Sequence, residues 1–178
     1  MTINPDRERR EAPVIRRCQP ADFADLVAVI NDGASAYRGI IPADCWKEPY
    51  MPAAELEEEI AAGVTFWACH EDGRIVAVMG LQEVGDVTLI RHAYTRTSPQ
   101  GRGLGSALLR HLRGRTSRPI LIGTWRAATW AIRFYQGHGF RLVSEADKRL
   151  LLQRYWTVPE RQIQESVVLA DARWTPAS

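Results

Sequence analysis

A chain of 178 residues with 25% charged residues and a net charge of +2 is long enough for one domain with a substantial core. So mild a balance argues against a nucleic-acid partner, which calls for basic residues gathered on one face. Cys18, Cys45 and Cys69 are far apart with no C-x-x-C, and the four histidines show no metal-ligand spacing, so neither a disulfide framework nor a metal site is expected. No apolar run approaches the ~18 residues of a membrane span, and the polar residues 1–12 lack the apolar stretch of a signal peptide. The sequence therefore predicts a cytoplasmic protein with no membrane partner, its residues 1–12 a flexible tail and 13–178 a single domain.

In chain order, Val14–Cys18 reads as a strand. Pro20 and Asp22 open a helix whose apolar Phe23, Leu26, Val27 and Ile30 recur at helical spacing up to Gly33. Residues 34–50 form a long irregular connection carrying Tyr37, Trp46 and Tyr50. Pro52 starts a second helix that Gly63 stops. Val64–His70, Ile75–Val84 and Val87–Thr95 read as a meander of three strands joined by tight turns at Glu71–Arg74 and Gly85-Asp86. Then come a helix over Gly103–Arg115, a buried strand over Pro119–Thr124, a helix over Ala128–His138, a strand over Phe140–Ser144, a helix over Ala146–Trp156 and a last strand over Ser166–Ala170. The strand–helix–strand passage from Val87 to Thr124 requires a parallel pair inside a mostly antiparallel set. The fold class is thus a mixed α/β (α+β) sheet of about seven strands with helices on both faces.

The passage between Thr95 and the next helix carries the chemistry. Gln100–Gly105 reads QGRGLG, with Pro99 before it. Glycines allow positive φ and leave backbone N–H groups unobstructed, and a helix N-terminus adds free donors and partial positive charge. Together these suit a pyrophosphate, with Arg96, Arg102 and Gln100 as further donors. The spacing is not that of a P-loop, nor the G-x-G-x-x-G of a dinucleotide fold.

The run Gln100-Gly101-Arg102-Gly103-Leu104-Gly105 resembles the Q/R-x-x-G-x-G/A motif of the GNAT superfamily of acetyl-CoA-dependent N-acetyltransferases. Downstream, Ala131–Phe140 (AIRFYQGHGF) resembles that family's A-x-x-F-Y-x-x-x-G-F segment, in the right order and the right strand–helix context. The resemblance spans roughly Val14 to Ala170. It implies a sheet splayed between strands four and five, with a strand bulge opening a cleft for the pantetheine arm. It implies that Tyr94, Thr95 and Arg96 meet the pantetheine and the acetyl carbonyl. Gln100, Gly101, Arg102, Gly103, Leu104, Gly105 and Ser106 would hold the pyrophosphate, with Phe134 beside them. Tyr135 falls where the family places a phenol near the thioester sulfur, able to protonate the departing thiolate. Two positions depart from the pattern: Ala128 stands where many members have Asn, leaving Thr129 or Thr124 to replace that contact, and Thr97 stands where Pro is common.

Acetyl-CoA is thus the implied cosubstrate, with no metal. Acyl transfer needs a neutral amine and a stabilised oxyanion. Glu83, at the end of its strand, and His92 are the candidate bases. Strand alternation puts Arg91 on the face opposite His92, and an acceptor-facing Arg91 would imply an acceptor carboxylate. Tyr37, Trp46 and Asp44 in the long connection are candidate acceptor contacts, Asp44 or Glu48 holding a cationic amine. The segment 146–164 either covers the acceptor mouth or forms a homodimer surface. The reading is N-acetylation of a primary amine on a small molecule or amino acid. A protein or peptide N-terminus as acceptor, a noncatalytic acyl-CoA-binding module and acetylation of charged tRNA are the competing readings.

Overall fold

Seven strands form a single sheet in the order β1-β2-β3-β4-β5-β7-β6. The computed structural model describes residues 13–97 and 103–177. The tail 1–12 and the loop residues Gln100, Gly101 and Arg102 lie outside the described residues. Strand β1 (Val14–Arg17) leads into α1 (Phe23–Ala34), and α2 (Ala53–Ala61) follows the long connection. The meander comprises β2 (Thr65–Glu71), β3 (Arg74–Val84) and β4 (Val87–Thr95). Its first turn is the two-residue Asp72-Gly73, both at positive φ, which matches the right-handed twist of the strands it joins. Then come α3 (Leu104–Arg113), β5 (Ile120–Trp125), α4 (Thr129–Gly137), β6 (Arg141–Leu142), α5 (Glu145–Tyr155), α6 (Glu160–Glu165) and β7 (Ser166–Ala170).

Two elements differ from the sequence expectation. Strand β6 is only two residues long: after a last bond from the Val143 N–H to the Val168 carbonyl at 3.0 Å, the chain turns at Ser144 to cap α5, its hydroxyl accepting from the Asp147 N–H. Helix α6 was not anticipated, although Pro159-Glu160 is an ordinary helix opening.

Four buried clusters divide the molecule. On one face, α3 and α4 lay Leu104, Leu108, Leu109, Leu112 and Tyr135 on Met79, Ile90, Ile120 and Ile122. On the other, α1 and α2 set Leu26, Val29, Ile30 and Leu56 against Phe66, Ala68, Ile75 and Val78. Beside them, α5 and α6 set Leu151, Leu152 and Ile163 against Leu89, Leu121 and Val168. Between these last two groups of helices the aromatic connection packs onto Trp125.

Two irregularities position the site. The parallel β4–β5 pairing runs only from Thr88–Ile120 to Ile90–Ile122, although β4 continues to Thr95 and β5 to Trp125. The strands therefore part beyond Ile90, as the expected splay requires. In the same stretch the β3–β4 register slips between Val78, opposite Tyr94, and Gly80, opposite Arg91. His92 sits in that slip at φ 50, so β4 carries a bulge there.

Candidate functional site

The cleft opened by the splay has a volume of about 490 Å³. The sheet supplies Val78, Met79, Ala93, Tyr94 and Thr95; the start of α3 supplies Gly103 to Ser106; α4 supplies Trp130, Phe134 and Tyr135; and the end of α1 with the residues after it supplies Gly33, Ala36 and Tyr37. Gly103 has φ 70 and stands at the N-terminus of α3, a backbone geometry that favours glycine there. The Phe134 ring lies against Gly105, 3.4 Å from where a Cβ would stand, an ordinary contact distance. Ser106 Oγ lies 2.9 Å from Nε2 of His138, which ties the first turn of α3 to the end of α4. The free N–H groups of that turn face a cleft that α4 closes from the other side.

Of the predicted cleft residues, Tyr94, Thr95, Gly103, Leu104, Gly105, Ser106, Phe134 and Tyr135 are brought together. Arg96 is turned back onto the sheet, its Nε donating to the Ile75 carbonyl at 2.8 Å. Thr129 begins α4 on its exposed side and does not line the cleft. Tyr135 is buried. Burial first, and the nearby Tyr37 second, push its phenol well above the ordinary range, so it keeps its proton at every physiological pH.

A second cavity, of about 120 Å³, begins where the first ends, and Tyr37 and Tyr94 line both. Tyr50 completes an aromatic group, with ring centroids 5.7 Å (Tyr37–Tyr50), 6.1 Å (Tyr37–Tyr94) and 6.4 Å (Tyr50–Tyr94) apart. Trp125 Nε1 donates to Tyr50 Oη at 2.8 Å. Burial and the neighbouring phenol of Tyr50 push Tyr37 up to about 12. The same causes, burial foremost, raise Tyr94. Trp46 stacks behind Tyr50 at 5.6 Å and so supports the wall from behind. Trp156, Val158 and Gln162 also line this cavity, so the segment 146–164 covers it.

The cavity widens into an outer chamber of about 400 Å³ that shares Tyr50, Arg91, His92 and Trp125 with it. Asp44 is here, but its carboxylate is held by Arg161 of α6 at 2.8 Å. Glu48 faces Arg38.

The two candidate bases separate. Glu83 is at the far end of β3, exposed, 3.4 Å from Arg118 and outside both cavities. His92 lines the second cavity and the outer chamber. The expectation that Arg91 and His92 face opposite sides is overturned by the bulge. Both side chains reach Glu59 on α2, Arg91 Nη2 to Oε1 at 3.0 Å and His92 Nε2 to Oε2. A bulge sets two successive residues against one on the partner strand, which cancels the alternation locally. The other Arg91 nitrogen, Nη1, donates to Gln82 at 3.1 Å. Two of its five N–H donors are thus engaged inside the protein, where Arg91 anchors Glu59, while its side chain still lines the second cavity and the outer chamber.

Glu59 was missed by the sequence reading, since α2 holds four glutamates and composition favours none of them. The one signal is spacing: Glu59 follows the buried Leu56 by three and so shares its helix face. Burial would raise its carboxyl, but the His92 bond and the charges on His92, Arg91 and Lys47 outweigh burial and hold it below the ordinary glutamate range. Among the described residues no group of three or more His, Cys, Asp or Glu side chains is placed to hold a metal ion. Nor is any helix among them long and apolar enough to cross a membrane.

A family model described as an acetyltransferase (GNAT) domain matches residues 30–149. Among curated proteins no sequence matches the chain. Several solved structures share the fold at low identity. An N-acetyltransferase, PaiA, from Thermoplasma acidophilum in complex with coenzyme A is 15% identical over 90% of this chain and 98% of its own, with a TM-score of 0.67. A GNAT-family acetyltransferase from Staphylococcus aureus is 18% identical with the same coverage, 90% and 98%, and a TM-score of 0.67. A ribosomal-protein-alanine N-acetyltransferase from Brucella melitensis is 16% identical over 89% of this chain and 98% of its own, with a TM-score of 0.62.

Proposed function

Because the chain belongs to the GNAT acetyltransferase family, we propose that it transfers an acetyl group from acetyl-CoA to a primary amine of a small molecule or amino acid by direct attack. The observation that carries the reading is the shared Tyr37–Tyr94 wall. A long cleft with a helix N-terminus at one end meets, at its other end, a small covered cavity lined by aromatic rings and a histidine. The first has the shape and the donors for a coenzyme arm and its pyrophosphate. The second is small and roofed by α5 and α6, which suits a compact amine better than a peptide in extended conformation.

In this reading the thioester lies at the meeting point. The acceptor nitrogen attacks the acetyl carbon, the C–N bond forms and the C–S bond breaks. Backbone N–H groups of the parted strand β4 stabilise the oxyanion. Tyr135, protonated at working pH, donates to the departing thiolate. His92, which lines the second cavity while Glu83 lies outside it, accepts the amine proton.

The test is free-thiol release from acetyl-CoA against a panel of amines, amino acids and peptides with free N-termini. Turnover of a small amine or amino acid is the expected result. Turnover of the peptides alone would replace the acceptor class. Coenzyme binding with no turnover across the panel would make the chain an acyl-CoA-binding module.

A further inference from the structure

Four side chains behind the acceptor cavity form one connected chain of contacts. Gln82 Nε2 donates to the Ala62 carbonyl at the end of α2 at 3.1 Å. Gln82 Oε1 accepts from Arg91 Nη1 at 3.1 Å, and Arg91 Nη2 donates to Glu59 Oε1 at 3.0 Å. Glu59 Oε2 takes the last contact, from His92 Nε2. The side chains of Glu59, Arg91 and His92 are 17%, 21% and 14% exposed, so the contacts form largely out of water, where they are stronger than on the surface.

Resting on the reading of the second cavity as the acceptor site, we infer that Glu59 is a positioning residue for acyl transfer, fixing His92 as the Nε2–H tautomer with its Nδ1 lone pair free to take the acceptor's proton. An ionised carboxylate can only accept, so the nitrogen facing Glu59 carries the hydrogen and the other nitrogen carries the lone pair. His92 Nδ1 has no hydrogen-bond partner among the described residues, and it is not one of the sealed, partnerless buried atoms. It is therefore open to the cavity that His92 lines.

The backbone supports the same assignment. A left-handed φ at a residue with a side chain is strained, and His92 adopts one. What the strain achieves is visible: with regular alternation His92 would point to the α3 face, away from Glu59. The imidazole is held a second time by its ring contact with Phe66 at 6.0 Å. Arg91 keeps Glu59 ionised and keeps its second oxygen aimed at His92.

The proton balance is complete with groups on hand. The neutral amine attacks and the C–N bond forms. One proton passes from its nitrogen to His92 Nδ1, and the imidazolium is stabilised by Glu59. The C–S bond breaks and the sulfur takes the Tyr135 proton, which solvent restores from His92. Charged and titratable groups that line the second cavity and the outer chamber with His92 are Glu59, Arg91 and the phenols Tyr37, Tyr50 and Tyr94, with Cys45 and the pairs Lys47–Glu55 and Asp44–Arg161 further out in the chamber.

Two measurements on the full chain test this. Imidazole ¹⁵N–¹H correlations of the wild type report the neutral tautomer of His92, and the expected result is hydrogen on Nε2; hydrogen on Nδ1 overturns the inference. In kinetics, Glu59→Gln keeps the shape but removes the charge, and kcat should fall about 10²-fold with the KM for acetyl-CoA unchanged. In a His92→Gln background the same change should cost almost nothing more, as for residues that act as a unit. Full kcat in Glu59→Gln, or losses that multiply in the double variant, overturns the role of Glu59 and leaves the acceptor site standing. Failure of the wild type to acetylate any small amine would overturn the acceptor reading itself.

Discussion

The proposed donor cleft and the proposed acceptor cavity share Tyr37, Tyr94 and one strand, yet they are made of different things. The cleft is framed by backbone: a parted strand pair, a glycine at φ 70 and the first turn of α3, with Phe134 and Tyr135 of α4 closing it. The cavity is made of side chains from α2, the β4 bulge, the connection 34–50, the end of β5 and the α5–α6 segment. A backbone site tolerates change in most side chains around it and recognises a ligand common to a whole family. A site assembled from five distant segments can be altered one residue at a time, and under the proposed function that is where acceptor choice would reside. The junction between the two is where a substitution should act on both.

The largest effect should come from removing the acid on the donor side. Tyr135→Phe deletes only the hydroxyl, and the ring still packs against Phe134 at 5.0 Å and Phe140 at 5.9 Å. General-acid catalysis contributes on the order of 10²–10⁴-fold, so kcat should fall by at least about 10²-fold. Coenzyme affinity by calorimetry should be unchanged. Unchanged kcat would place the proton donor elsewhere and break the assignment of the cleft's far end.

A smaller but broader effect is expected at the junction. Gly33 touches β4 so closely that an added Cβ would lie 2.8 Å from Tyr94 Cβ and 3.1 Å from the Thr95 carbonyl. Neither atom is the free end of a flexible chain, so β4 or α1 must move. Overpacking of this kind costs about 1–3 kcal/mol, and Gly33→Ala should lower the urea midpoint accordingly. Because Tyr94 lines both cavities, the KM values for acetyl-CoA and for the amine should rise together. A rise in only one would show that the two cavities are less coupled than their common wall implies.

That contrast also explains what the sequence disclosed. All seven strands and the parallel pair followed from period and turn residues, because each is a local pattern, whereas the splay was implied only by the family resemblance that the two motifs carry. The candidate donor residues came from the resemblance that the two motifs carry, since glycines at a strand–helix junction alone could equally be a turn that starts a helix. The bulge was expected, but its consequence for Arg91 and His92 was not, since alternation is the rule that a bulge suspends. Glu59 was illegible for a different reason. Its role depends on a helix crossing β4 thirty-odd residues later in the chain, which no local spacing encodes. Glu83 and Asp44 looked equally suitable as residue types, and only the fold gives them to Arg118 and Arg161.

The smallest effect tests whether Glu59 is charged and paired in the folded state at all. Its carboxyl lies below the ordinary value of 4.5 because the His92 bond and the charges on His92, Arg91 and Lys47 outweigh its burial. A depressed carboxyl contributes stability that is complete above the unfolded value and is lost as pH falls through the folded one. The unfolded chain then takes up the proton first. Glu59→Gln cannot titrate and makes no such contribution. Unfolding free energies from urea titrations should therefore show a gap between wild type and Glu59→Gln at about pH 5 that narrows as pH drops well below 4.5. The sign is diagnostic. If burial prevailed over the bond and the charges, the folded value would stand above the unfolded one. Acid would then favour the wild type over the variant, and the gap would widen with falling pH.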